Sequence, residues 1–452
     1  MSFYTFILQK ILFPISNIII RRKFWRYYKE FLKSQYFNRE KIEELQLIKL
    51  KKLVKHAYET VPLYKESMDK ANVNPEEIKT LQDIKKLPVV TKNDFRNGFP
   101  QKCTSNIISK SKWVPDSTSG STGSPFEFIR DKEFSDYTLA NTLRNHTWTG
   151  YNVGNKIIGL WGFHKRPFQA QIFEKLIRRK FISSFDVEIN YKDYYKIIKN
   201  YNPYLIEAYS ASVTHFAKLL KQEGLYDLTV PAVISSAETL YPENKKIIEE
   251  MLHTKVYNRY GSREVGNIAH ECEERKGLHI NAESYIVEVV KKHPEDEQGR
   301  LIVTNLTNFT MPFIRYDTED YATIFLQAKS STKKEQNKIC SCGRTLPMLK
   351  SVEGRVTDFI ILTNGKELSY LFFNYFFEQY GAYLKQFQVI QDKKDHLLMR
   401  LVITNKYTDS KEREIVQGIK NKVGKDMNIT IEKVDKVEKE KSGKLRPVKR
   451  LI

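Results

Sequence analysis

Six of the eight residues from Ser117 to Ser124 carry hydroxyls, and the other two are Gly120 and Gly123. Such a stretch buries little and favours neither helix nor strand. What it offers is backbone N–H groups and hydroxyl donors on a turn, which suit a polyphosphate. It is not a P-loop, because no Gly-Lys-Ser/Thr follows. A Ser/Gly linker is the other reading. Five further groups follow in order: Ser235-Ser236-Ala237-Glu238, Tyr260-Gly261-Ser262-Arg263-Glu264, Arg315-Tyr316-Asp317-Thr318-Glu319-Asp320, Gly354-Arg355-Val356-Thr357-Asp358 and Gly443-Lys444. Of the four cysteines, Cys272, Cys340 and Cys342 fall in two tight local groups, which suggests metal rather than disulfides.

The elements that must hold these groups are readable from apolar spacing. Residues 41–72 read as helices, 126–129 as a strand and 132–149 as a helix. From residue 156, short apolar runs alternate with helices. The runs are 157–161, 204–208 and 232–235, followed by helices over 167–179, 211–223 and 242–252. Pro242 suits a first helical position. Strand-then-helix alternation predicts a layered α/β domain. Residues 286–324 turn strand-rich. After Gly354-Arg355 a small α+β unit is expected, with helix 370–379, strands 386–391 and 397–404, helix 410–423 and strand 428–434.

The 452 residues suffice for two or three domains, and 41% are hydrophobic, as in ordinary globular chains. The net charge of +21 is compatible with nucleic acid, an anionic membrane or anionic substrates. It also fits a general Lys-rich bias, and no nucleic-acid-binding signature stands out, so no nucleic-acid partner is expected. Too few cysteines are present for a disulfide framework, which predicts a reducing, cytoplasmic setting. Residues 1–20 are apolar but interrupted by Lys10, Pro14 and Asn17, and Arg21-Arg22-Lys23-Phe24-Trp25-Arg26 follows. The charge order is wrong for a signal peptide, and the run is too broken for a transmembrane span. Two readings stand: a segment lying in the interface on the inner face of the membrane, or a helix packed on its own domain.

Taken together and in order, these motifs resemble the adenylate-forming superfamily of acyl-CoA synthetases, and within it the phenylacetate–CoA ligase and CapK (capsule biosynthesis) branch. The resemblance covers roughly residues 80–452. It implies a large multi-layered N-terminal adenylation domain and a small mobile α+β C-terminal domain, divided as residues 1–75 (helical), 76–354 and 355–452. It implies that a carboxylate and MgATP give an acyl-adenylate and pyrophosphate, after which a nucleophile displaces AMP. Ser119, Gly120, Ser121, Thr122 and Gly123 would then cradle the β- and γ-phosphates. Glu264 would bind Mg²⁺, and Ala237 and Glu238 would lie against adenine. Tyr260, leading into Gly261-Ser262, would be a stacking wall, and Asp320 would accept from the ribose hydroxyls. Arg355 would reach ribose or phosphate, and Asp358 would be a hinge. Lys444 would bridge the carboxylate and the α-phosphate, where its charge counts most in the transition state. One departure is Glu319, where many superfamily members carry glycine.

Cys272, His279, Cys340 and Cys342 make a ligand set for closed structural Zn²⁺, as in some members of the branch, with His270 a rival. His164 and Tyr209-Ser210-Ala211-Ser212 are candidates for the acyl site. The acceptor is either CoA or an amine or hydroxyl on a sugar or glycan precursor. A non-catalytic nucleotide-binding, membrane-associated protein is the reading from another class.

Overall fold

The structure is a computed structural model that describes residues 3–15, 22–118, 126–162, 168–184, 187–325, 340–355, 359–363, 367–369, 372–373, 376–377, 379–438 and 446–452. The chain forms two compact units, Met1–Glu353 and Gly354–Ile452. In the first, β1 (Val114–Thr118) and β2 (Phe126–Arg130) form an antiparallel hairpin. An eleven-stranded sheet follows. Its strands are β3 (Ile157–Trp161), β4 (Arg179–Ser183), β5 (Leu205–Tyr209), β6 (Ala232–Ser236), β7 (Lys255–Ser262), β8 (Gly266–Glu271), β9 (Leu278–Ile280), β10 (Tyr285–Val290), β11 (Gly299–Asn305), β12 (Tyr316–Ile324) and β13 (Met348–Arg355). Their order is β10-β11-β12-β13-β9-β8-β7-β6-β5-β3-β4.

Five neighbours, β4-β3-β5-β6-β7, run parallel, and β8 turns back antiparallel on β7. Parallel strands covered on both faces read as unbroken apolar runs. One face packs Ile158, Leu160, Ile206, Val233 and Val256 against residues from the Val187–Tyr201, Ser210–Gln222 and Pro242–Leu252 helices. The other packs Ile157, Leu205, Ile234 and Tyr257 against Ala140 and Leu143 of the Lys132–Thr147 helix, and against Phe24, Trp25, Tyr28 and Phe31 near the N-terminus. The segment 3–34 thus contributes buried side chains to its own unit. No helix among the described residues is long and apolar enough to cross a membrane.

One helix differs from expectation. The helix expected over 167–179 is Phe168–Leu176, because Arg178 adopts φ 56° and turns the chain into β4. Glycine usually marks such a left-handed stop, and its absence hid the boundary. The helices expected over 41–72 are Arg39–Thr60, capped by Asn38, and Pro62–Lys70, which begins on Pro62.

In the second unit, β14 (Phe359–Ile361) pairs with β15 (Glu367–Ser369). β16 (Leu384–Lys393), β17 (His396–Ile403), β18 (Asn428–Lys433) and β19 (Val448–Arg450) form a sheet in the order β18-β17-β16-β19. The Asp409–Val423 helix, capped by Thr408, buries Ile415, Ile419 and Val423.

Candidate functional site

In open parallel sheets ligands bind beyond the carboxyl ends of the strands, where strand order reverses. Here β4 lies on one side of β3 and β5 on the other, so the reversal falls between β3 and β5. Those strands end at Trp161 and Tyr209, whose rings meet edge to face at 4.6 Å. The segment Tyr209-Ser210-Ala211-Ser212 is the turn from β5 into its helix. β6 delivers Ala237, at φ 66°, and Glu238, whose Oε2 accepts the Ala211 backbone N–H at 2.7 Å. A carboxylate on the first turn of a helix suits the positive end of its dipole.

β7 carries the next group. Its pairing with β8 shifts register between Tyr260 and Gly261. A Cβ on Gly261 would lie 2.4 Å from the Gly266 carbonyl oxygen, so only glycine fits this crossing. Ser262 Oγ accepts the Val265 N–H at 3.2 Å and shapes the turn that presents Glu264. Glu264 is 6% exposed and accepts the Tyr316 hydroxyl at 3.2 Å. Tyr260 donates its hydroxyl to Asp320 Oδ2 at 2.6 Å. Burial, and then the Asp320 charge, push that phenol well above its ordinary range, so it stays a donor.

Asp320 owes its place to a bulge. The β11–β12 register shifts between Arg300 and Ile302, and Glu319 sits at φ 63°. Its N–H bonds to Asp317 Oδ1 at 2.9 Å, and Thr318 Oγ1 donates to the Leu301 carbonyl at 2.8 Å. The residue standing where many superfamily members have glycine therefore does adopt the glycine-like conformation. A polar Asx-type turn holds it there.

The hydroxyl-rich segment connects β1 to β2, whose last pair is Thr118 with Phe126. Ser119, Gly120, Ser121, Thr122 and Gly123 lie outside the described residues. The hairpin is nonetheless tied to the Glu264 turn. Asp116 of β1 accepts from Arg263 at 2.7 Å, and from Arg130 at 2.5 Å. His164, Asp358 and Lys444 also lie outside the described residues, as does the side chain of Arg355, whose backbone ends β13.

Beneath Trp161 and Tyr209 lies a polar layer that the sequence did not announce. Glu207 of β5 is fully buried, and it pairs with Arg259 of β7 at 2.6 Å and with Arg179 of β4. His146 Nε2 lies 3.1 Å from the same carboxylate. Burial holds His146 well below its usual value and pulls Arg259 down to about 10. His146 is thus a neutral donor to a carboxylate shared by two guanidinium groups. In the sequence Glu207 falls within the apolar run 204–208.

A second cluster stands apart from the crevice. The thiols of Cys272, Cys340 and Cys342 and a ring nitrogen of His279 all lie within 4.8 Å of one another. Cys272 Sγ is 3.6 Å from Cys340 Sγ, too far for a disulfide. Zn–S bonds of about 2.3 Å in a tetrahedron separate sulfurs by about 3.8 Å. His279 directs Nε2 at Cys342, 3.3 Å away, while Nδ1 bonds the Leu346 carbonyl at 3.2 Å. That outer bond fixes the tautomer a metal ligand needs. His270 is not part of this group: its Nδ1 turns to the Glu271 carbonyl at 2.6 Å. The cluster sits among Ile42, Trp148, Ala282, Leu346 and Met348, and so pins β8, β9 and the approach to β13 together.

Comparison with known proteins gives three findings. Residues 360–451 match the family model of the CapK C-terminal domain. The chain is 26% identical over 352 residues to the phenylacetate–coenzyme A ligase of Thermus thermophilus, covering 72% of each protein. It is 25% identical over 323 residues to that of Escherichia coli, covering 69% of this chain and 72% of that one. Among solved structures, 2-hydroxyisobutyryl-CoA ligase in the postadenylation state superposes with a TM-score of 0.72 at 19% identity, covering 92% of both chains. That likeness establishes the fold.

Proposed function

We propose that this chain, a relative of the phenylacetate–CoA ligases with a CapK C-terminal domain, activates a carboxylic acid with ATP and passes the acyl group to CoA. In the first step a carboxylate oxygen attacks the α-phosphorus, the bond to the β-phosphate breaks, and pyrophosphate leaves. In the second the CoA sulfur attacks the acyl carbonyl, AMP leaves, and the thiol proton is lost to solvent. Neither step needs a covalent enzyme intermediate; both need positioning and charge compensation.

The observation that supports this reading is the convergence of two distant stretches, the β1–β2 hairpin and β12, on the end of β7. Arg263 ties the β1–β2 hairpin to the Glu264 turn, Tyr316 reaches Glu264, and Asp320 reaches Tyr260. In this reading Asp320 exchanges the Tyr260 hydroxyl for ribose hydroxyls, and Tyr260 is freed to face adenine beside Ala237 and Glu238. Ser119 to Gly123 supply donors to the β- and γ-phosphates. Arg355 would serve the ribose or phosphate, and Lys444 would bridge the carboxylate and the α-phosphate. Mg²⁺ held by Glu264 would offset phosphate charge.

The alternative acceptor is an amine or hydroxyl of a sugar or glycan precursor. Incubating the full chain with MgATP and a panel of acids, with and without CoA, separates the two. Acyl-CoA in the mass spectrum is the expected product. Acid-dependent AMP release that CoA leaves unchanged points to the glycan acceptor, and no nucleotide turnover points to a non-catalytic binder.

In the same reading the Cys272–His279–Cys340–Cys342 cluster holds structural Zn²⁺, with all four positions filled by protein. Purified protein is expected to contain one equivalent. Cys342→Ala should lower both zinc content and the unfolding midpoint. Wild-type protein well under one equivalent would remove the assignment.

A further inference from the structure

The N-terminal segment carries a feature that catalysis does not use. Residues Phe3–Ile7 form an α-helix that continues as a π-helical turn over Leu8–Leu12. One side buries Thr5, Leu8 and Phe13 against the unit. The rest leaves Phe3, Phe6, Ile11 and Ile15 exposed at 80%, 46%, 45% and 43%. Four large apolar side chains on one short segment, none folded into the core, is more than scattered surface exposure requires.

Next to this segment is a cavity of about 130 Å³ lined by Gln9, Lys10, Trp25, Tyr28, Lys29 and Leu32. Its aromatic wall is rigid: Trp25 and Tyr28 stack at 4.8 Å. Lys10 and Lys29 are exposed, and neither has a carboxylate partner among the described residues, while the Lys29 ammonium lies 5.8 Å over the Trp25 ring. Two ammonium groups at one cavity are donors for an anion, and no acidic side chain lines it.

We propose that this cavity receives the phosphate of an anionic phospholipid headgroup, with Phe3, Phe6, Ile11 and Ile15 entering the acyl boundary, so that the enzyme works at a membrane surface. A free phosphate would account for the lysines alone. It would leave the exposed apolar side chains unexplained, whereas a bilayer uses both. The surplus of cations over the whole chain, +21, attracts the same surface. The inference stands on the N-terminal segment alone and does not depend on the acyl-transfer reading.

Co-sedimentation of the full chain with vesicles tests it. Phosphatidylcholine vesicles containing phosphatidylglycerol should pellet the protein, and pure phosphatidylcholine should not. Lys10→Ala/Lys29→Ala should weaken binding roughly 30-fold, the effect of two lysines at an anionic surface. Both side chains are exposed, so the variant should keep the wild-type circular dichroism. Lys51→Ala/Lys70→Ala, which removes two exposed lysines elsewhere, should bind like the wild type. Three results would each overturn the proposal: equal binding to neutral vesicles, an equal loss in the Lys51/Lys70 variant, or full displacement by millimolar inorganic phosphate.

Discussion

Glu264→Gln is expected to lower acid-dependent pyrophosphate release by roughly two to three orders of magnitude, the size seen when one preorganised charge-stabilising group is removed. The substitution is chosen because it isolates charge. Glutamine has the same shape, and its amide oxygen can still accept the Tyr316 hydroxyl that Glu264 accepts at 3.2 Å. The β7–β8 turn is held by other groups, the Ser262–Val265 bond and the Arg263–Asp116 pair, neither of which involves Glu264. The fold should therefore survive, as an unchanged unfolding midpoint would verify. What is lost is the only anionic side chain on that turn suited to a hard divalent cation. Excess Mg²⁺ should restore part of the rate if the loss is one of metal affinity. A variant with wild-type turnover would remove Glu264 from the site.

Glu207→Leu is expected to destabilise the protein by about 3–5 kcal/mol, the cost of stripping the partner from a buried charge. Glu207 is fully buried, and Arg259 beside it is 9% exposed. Burial holds the Arg259 guanidinium down at about 10 even with the carboxylate present. Without Glu207, Arg259 and Arg179 would face each other across an apolar residue, and His146 would lose its acceptor. Arg259 keeps only 9% of its side chain exposed, whereas Arg179 keeps 19%. Glu207→Leu/Arg259→Leu should therefore recover most of the loss, because an apolar pair can replace a buried ion pair at little net cost. Denaturant unfolding of both variants measures this, and a loss under about 1 kcal/mol in the single variant would show that the network contributes nothing. The network joins β5 to β4 on one side and to β7 on the other.

Much of this was legible because chemistry and periodicity agreed. The apolar runs at 157–161, 204–208 and 232–235 became β3, β5 and β6, each ahead of its helix. In the second unit, helix 410–423 and strand 428–434 fall within a residue of the observed elements. The Cys/His cluster could be anticipated because thiols are scarce, so any grouping of them carries information. What escaped was set by tertiary context. β4 is a short edge strand with two basic residues, and its preceding helix ends on Arg178 rather than glycine. Glu207 is a charge that only makes sense once Arg179 and Arg259 arrive from other strands. The bulge at Glu319 depends on hydrogen bonds to Asp317 and Leu301, and no local propensity reveals those. The N-terminal segment was read as either packed or interfacial, and its two sides differ: one is buried in the unit and the other is exposed.

The most direct test of acid activation is ATP–pyrophosphate exchange by the full-length protein across a broad panel of carboxylic acids in the presence of Mg²⁺. Exchange that appears only when a particular acid is present, and that falls in Glu264→Gln, is the expected result. Protein that binds ATP but catalyses no acid-dependent exchange with any acid would contradict it.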